Sequence, residues 1–215
     1  MLWLAAAACA VAAQPRLDEA EIYLGGQAGV LASIAYFHPT VSQSALQPHW
    51  GANGGFVFRY NGHRFCGLQV ELNYMQRGWH EIATSKQSDF QRRVDFIELP
   101  FMTHIYFGRR YRGYINFGPQ IGFKIYDTNG TPEDSEYRHS AGLNIFDYGV
   151  TAGLGFYART KAGVWQIESR FNYSISNLLP SALTDPYSNS NSMNLSLNFA
   201  YLWELKKKTT HPLKN

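Results

Sequence analysis

The chain has 215 residues, room for one domain of ordinary size and not for two large ones. Charged residues make up 16%, below the roughly 25% of soluble domains, while aromatics reach 15% and glycines number 19. The formal charge of +3 is too small and too scattered for a nucleic-acid partner. No apolar run beyond the N-terminus approaches the ~18 residues of a spanning helix, which excludes a membrane helix bundle.

The N-terminus reads MLWLAAAACAVAAQPR. An apolar run ends in the small residues Val11-Ala12-Ala13 just before Gln14, the layout of a signal peptide over residues 1–13 with cleavage after Ala13. The segment is short and carries no Lys or Arg ahead of its apolar run, which suits translation starting upstream of Met1. Cys9, after a run of alanines, suggests a competing lipoprotein cleavage, but the usual Leu is missing. Removal of the leader leaves Cys66 as the only cysteine, so no internal disulfide is expected.

Eight segments then alternate with period two, the pattern of strands with one apolar and one polar face. The first, 21–36, is the faintest, with Ile22, Leu24, Ala28 and Val30 on its apolar side. In 51–60, Phe56, Phe58 and Tyr60 oppose Asn53 and Arg59. The clearest is 64–79, where Cys66, Leu68, Val70, Leu72 and Tyr74 oppose Gln69, Glu71, Asn73 and Arg77. In 94–107, Ile97, Leu99, Phe101, Ile105 and Phe107 oppose Glu98, Met102 and His104. In 114–126, Ile115, Phe117, Ile121, Phe123 and Ile125 oppose Asn116, Gly118, Gln120, Gly122 and Lys124. The segments 146–157, 163–176 and 192–205 repeat the scheme. Their polar sides carry Asp147 and Thr151, then Gln166, Glu168, Arg170 and Asn172, then Asn194, Ser196 and Asn198.

The connections alternate in length. Asn61-Gly62-His63, Gly108–Gly113 and Ala158–Ala162 are short, and Asn-Gly is a strong hairpin signal. The connections 37–50, 80–92, 127–145 and 177–191 are long and polar. Short periplasmic turns and long external loops are the habit of outer-membrane barrels, and an even strand number places both termini in the periplasm.

Period two does not say which face points outward. A soluble barrel of the lipocalin kind would turn the apolar side inward. Eight strands, however, enclose a space just wide enough for their own side chains. The bulky apolar set does not fit there, whereas the polar set, with Gly55, Gly118, Gly122, Gly149, Gly153 and Gly155, does. Aromatics toward strand ends would form interfacial girdles. The fold expected is an all-β, eight-stranded antiparallel up-and-down transmembrane barrel over residues 21–205. A loose basic tail, KKKTTHPLKN, follows over 206–215.

Four stretches, ELNYMQRGW, FIELPFM, YINFGPQIGF and LNFAYLWEL, resemble the PorT-like outer-membrane β-barrel family across about residues 20–205. The chain departs from barrels that end on a terminal aromatic strand by continuing through Lys206–Asn215. The family is named for a member linked to protein secretion. The resemblance therefore implies a bacterial outer-membrane protein surrounded by lipid, in contact with envelope or secretion proteins through the four long loops.

The candidate site is the polar set of the lumen: Arg59, Arg77, Lys124 and Arg170 against Glu71, Glu98, Asp147 and Glu168, with His104 nearby. Charges withdrawn from water must pair, so a structural network is the expected role. Counting residues up from the short turns places Glu71 level with Arg170, and Glu98 level with Lys124. His104 has no evident Ser and acid beside it, and His38, His49, His63, His80 and His139 fall in expected loops or turns. Asp127, Glu133, Asp134 and Glu136 do not follow a calcium-loop spacing. No catalytic residue, metal or cofactor is expected. A binding or scaffold role and a narrow porin-like conduit for ions or small solutes both stay open, with a lipid-modifying barrel enzyme behind them.

Overall fold

A computed structural model describes residues 16–38, 46–81, 90–128, 144–177 and 189–205. The leader 1–13, the tail 206–215, most of the four long loops, and with them His139, Glu133, Asp134 and Glu136, lie outside the described residues. Eight strands form one closed barrel: β1 (Arg16–His38), β2 (Leu46–His63), β3 (Cys66–Glu81), β4 (Phe90–Gly108), β5 (Tyr111–Asp127), β6 (Phe146–Arg159), β7 (Val164–Ser174) and β8 (Asn189–Glu204). Every strand pairs antiparallel with its sequence neighbour, and β8 pairs with β1 to close the ring.

The pairing fixes the barrel's dimensions. Partners lead from Tyr23 through Arg59, Gln69, Met102, Gly118, Thr151, Asn172 and Asn194 back to β1 at Ser33, ten residues further along. A shear of ten on eight strands, at ~3.3 Å per residue and ~4.8 Å between strands, tilts the strands about 40° and sets a backbone radius of about 8 Å. Each residue then climbs about 2.5 Å along the axis, so ten residues cross the ~25 Å apolar band of a membrane barrel.

The faces divide by parity. Lumen-facing positions of β7 are buried and their neighbours are exposed without exception through Asn172. The exposed set is apolar: Phe56 is 68% exposed, Leu154 64% and Phe199 54%. The buried set includes Arg59, Glu71, Arg77, Glu98, Glu168 and Arg170. An apolar exterior around a polar interior is the inverse of a water-soluble barrel, and this exterior is satisfied only by lipid.

The ladders run further than the alternation. β1 starts at Arg16, five residues before the expected 21, and pairs there with His63. The expected turn at Asn61-Gly62-His63 is displaced: these residues belong to β2, and the reversal falls at Arg64-Phe65. Asn61 pairs with Glu21 in the ladder, and its amide is buried, so the Asn-Gly signal does not mark the hairpin tip. The β4–β5 reversal is Arg109-Arg110, entered through Gly108 at φ 110°, a backbone region that favours glycine. His38, His49, His63 and His80 sit within strands rather than in loops, and His49 is buried.

The two rims differ. At the end closed by short turns the strands stop nearly level. At the other end β1 to β5 rise together, while β7, with 11 residues against 23 in β1, stops short. Combined with the stagger, this leaves the top of β7, and to a lesser degree β6, about 10–15 Å below the rest of the rim.

Candidate functional site

The stagger arranges the lumen side chains in levels, ascending from the turn end. Lowest is a rim cluster in which Arg112 and Arg159 converge on Glu21, at 2.8 and 2.7 Å, and Arg159 also reaches Glu204 at 3.4 Å. Arg112 stacks on Tyr106 at 4.7 Å.

Above it lies Arg59, which no solvent touches. It donates to two amide oxygens, Gln69 Oε1 at 2.7 Å and Gln166 Oε1, instead of a carboxylate. Its guanidinium lies over Tyr157 at 5.0 Å and Tyr114 at 5.4 Å, whose faces supply partial negative charge. His104 shares that aromatic setting, with ring centroids 5.0 Å from Tyr114 and 5.3 Å from Tyr106. Its Nδ1 meets Asn116 Oδ1 at 2.7 Å. Since Asn116 Nδ2 donates to Glu168, this oxygen accepts and Nδ1 carries the proton.

The next level is an acid–arginine–acid triad. Arg170 makes a two-pronged contact with Glu71, at 2.5 and 2.7 Å, and donates from Nε to Glu168 Oε1 at 2.8 Å. Glu71 also accepts from Gln27 Nε2, Asn73 Nδ2 and Gln69 Nε2. Glu168 accepts from Tyr114 Oη, Asn116 Nδ2 and Gln166 Nε2 at 2.8 to 3.1 Å. Charged groups this deep persist because each oxygen has donors.

A second triad stands one level higher. Arg77 bridges Glu98 and Asp147, the latter at 2.6 Å, and its guanidinium covers Phe96 at 4.8 Å. Ser174 donates to Asp147 at 2.9 Å, and Asn172 to Glu98 at 3.2 Å. Beside this triad lies a cavity of about 10 Å³, the room of one water at most, between Ser33, Arg77, Trp79 and Phe96. At the top, Arg92 clamps Asp127 at 2.9 and 3.0 Å.

The expected level of Lys124 with Glu98 does not hold. The register sets Glu98 opposite Gly122 and Lys124 opposite Phe96, with an irregularity between Asp95 and Phe96. Lys124 Nζ is 3.3 Å from Asp127 Oδ2 at the loop-end mouth, and Arg77 takes Glu98. Asp127, placed in a loop by the sequence, is the last residue of β5. Charge counting also passed over Glu21, Arg112 and Arg159, which lie outside the alternating stretches or at their margins.

An apolar belt around a lumen filled by paired charges defines an integral outer-membrane β-barrel. The chain belongs to the outer membrane protein beta-barrel domain family, whose model matches residues 12–180. Three solved structures share the architecture at low identity. OprG from Pseudomonas aeruginosa is 13% identical, over 86% of this chain and 95% of its own, with a TM-score of 0.49. Neisserial surface protein A is 13% identical, over 86% and 99%, with a TM-score of 0.47. Ail of Yersinia pestis is 12% identical, over 85% and 99%, with a TM-score of 0.45. No curated protein matches the chain in sequence.

Proposed function

We propose that this protein is a plugged, non-enzymatic barrel that serves the cell envelope as a binding or scaffold element. In this reading the connections 37–50, 80–92, 127–145 and 177–191 face outward and meet the partner, and both termini lie in the periplasm. The observation that carries the proposal is the column of buried charge. Five consecutive levels of side chains fill a lumen of about 8 Å backbone radius. The two triads tie β3 to β7 and β3 to β4 and β6 across it. An ion entering would have to break pairs whose members are each 5% exposed or less. His104, buried in the lumen, is engaged with an asparagine and three tyrosine rings rather than with a serine and an acid, which supports a role without catalysis. Within the family, the stretches ELNYMQRGW and YINFGPQIGF suggest the PorT-like members and a link to protein secretion.

Single-channel recording in a planar bilayer tests the plug. The expected result is a silent bilayer after insertion of heat-modifiable, folded protein. Steady ohmic steps that grow in the variant Arg77→Ala would instead identify the lumen as a conduit for ions.

A further inference from the structure

We propose that the turn end of the barrel is a docking surface for anionic phospholipid headgroups. The three reversals at this end are Arg64-Phe65, Arg109-Arg110 and Thr160-Lys161-Ala162-Gly163. Arg64, Arg109, Arg110 and Lys161 are all exposed there, and no acidic residue lies among these eight positions. The nearest described carboxylates at this rim, Glu21 and Glu204, are already held by Arg112 and Arg159. The sequence flanking the rim adds Arg16, Lys206, Lys207 and Lys208 against Asp18 and Glu19. The three turns themselves are therefore of one sign, and the flanking sequence is positive on balance.

Its position selects the partner. Two of the cations rest on exposed aromatic rings: Arg64 lies 5.5 Å over Phe65, and Arg110 lies 5.8 Å over Tyr111. Phe65, Phe107 and Tyr111 are 47%, 60% and 60% exposed, and form one arc of a collar at the edge of the lipid-facing band. Trp165, Tyr201 and Trp203 form another arc beside the third turn, where Tyr201 Oη donates to Ala162 O at 2.6 Å. Indole and phenol rings settle at the headgroup level. The turns are too short to carry their cations away from it. At about 2.5 Å of height per residue, each cation stays within roughly one Debye length, ~8–10 Å, of the collar. The cationic turns are thus continuous with the membrane surface and held at the depth of phosphate groups. A soluble acidic partner would find the same charges flush with the lipid.

Lipid selectivity read from tryptophan tests the proposal. The full chain carrying Trp3→Phe and Trp50→Phe retains Trp165 and Trp203 as lipid-facing reporters of the turn end, with Trp79 shielded in the lumen. It is inserted into vesicles of phosphatidylcholine mixed with phosphatidylglycerol, one or the other brominated. The expected result is preferential quenching by brominated phosphatidylglycerol. Its relative association constant should be about fivefold or more above that of phosphatidylcholine, the gain expected of one basic residue near an anionic surface. The preference should fall toward unity in 1 M NaCl, where the Debye length is about 3 Å. Arg64→Gln, Arg109→Gln, Arg110→Gln and Lys161→Gln together should also bring it within about twofold of unity. If that variant does not fold, the pair Arg64→Gln with Lys161→Gln should still halve the preference at least. Equal quenching by the two lipids in the parent protein overturns the proposal. So does a preference that survives in the folded four-residue variant, which would assign it to 206–215.

Discussion

Removal of Glu71 probes the lumen at its centre. Glu71→Ala deletes the acceptor for Gln27, Asn73 and Gln69 and one side of the Arg170 clamp. Breaking a buried ion pair costs about 3–5 kcal/mol. Because Glu168 still holds Arg170, at 2.7 Å, the loss should fall at the lower end, about 3 kcal/mol. Arg170→Ala is more severe, about 5 kcal/mol, since it leaves Glu71 and Glu168 buried without their common cation. The double variant should lose about 5 kcal/mol, and not the sum of about 8, since Glu71 is then gone and only Glu168 is left without its cation. Equilibrium urea unfolding from phospholipid vesicles, followed by tryptophan emission, measures all three. If the two single losses add to within about 0.5 kcal/mol, the residues do not couple and the plugged lumen is refuted. A water-filled pore gives that outcome, because solvent and salt screen the pair.

Surface labelling tests the orientation. In a Cys66→Ser background, Arg64→Cys and Arg110→Cys should resist a membrane-impermeant maleimide in intact cells, and Asp134→Cys should react; the reverse pattern inverts the topology. Folded protein in mild detergent should migrate faster on a gel than boiled protein, because a closed barrel offers no edge strand from which to fray. Predominantly helical circular dichroism in detergent would contradict the architecture.

The sequence reveals the faces of the strands far better than their heights. In β3 Leu68, Val70, Leu72 and Tyr74, and in β7 Trp165, Ile167, Phe171 and Tyr173, hold one parity, so Glu71, Arg77, Glu168 and Arg170 fall on the lumen side by parity alone. Parity is a local property. The level of a side chain depends on the stagger between strands, which accumulates to ten residues around the barrel and leaves no trace in any single segment. Counting from the turns brings Glu71 level with Arg170 because the errors along β3 and β7 are small. The same count fails for Glu98 and Lys124, because the turn is only Arg109-Arg110 and β5 starts at Tyr111, which sets Gly122 opposite Glu98 and leaves Lys124 two residues higher. The rim cluster was illegible for another reason. Glu21 and Arg159 sit where the strands pass out of the apolar band, and the alternation that marks a strand exists only while one face touches lipid. Asn61-Gly62 shows the converse: a strong turn signal is overridden where the ladder with β1 carries on past it, through Glu21–Asn61 and Arg16–His63.

The sloping rim bears on where the connections leave the barrel. From His38 to Leu46 and from Glu81 to Phe90 the chain uses 7 and 8 residues to reverse, high on the tall side of the barrel. Between Asp127 and Phe146 it spends 18, and between Ser174 and Asn189 it spends 14, on either side of the low β6–β7 sector. Among the described residues, the strand wall is a parapet around most of the circumference and a sill at β6–β7, and the two longest connections leave the barrel at the two ends of that sill.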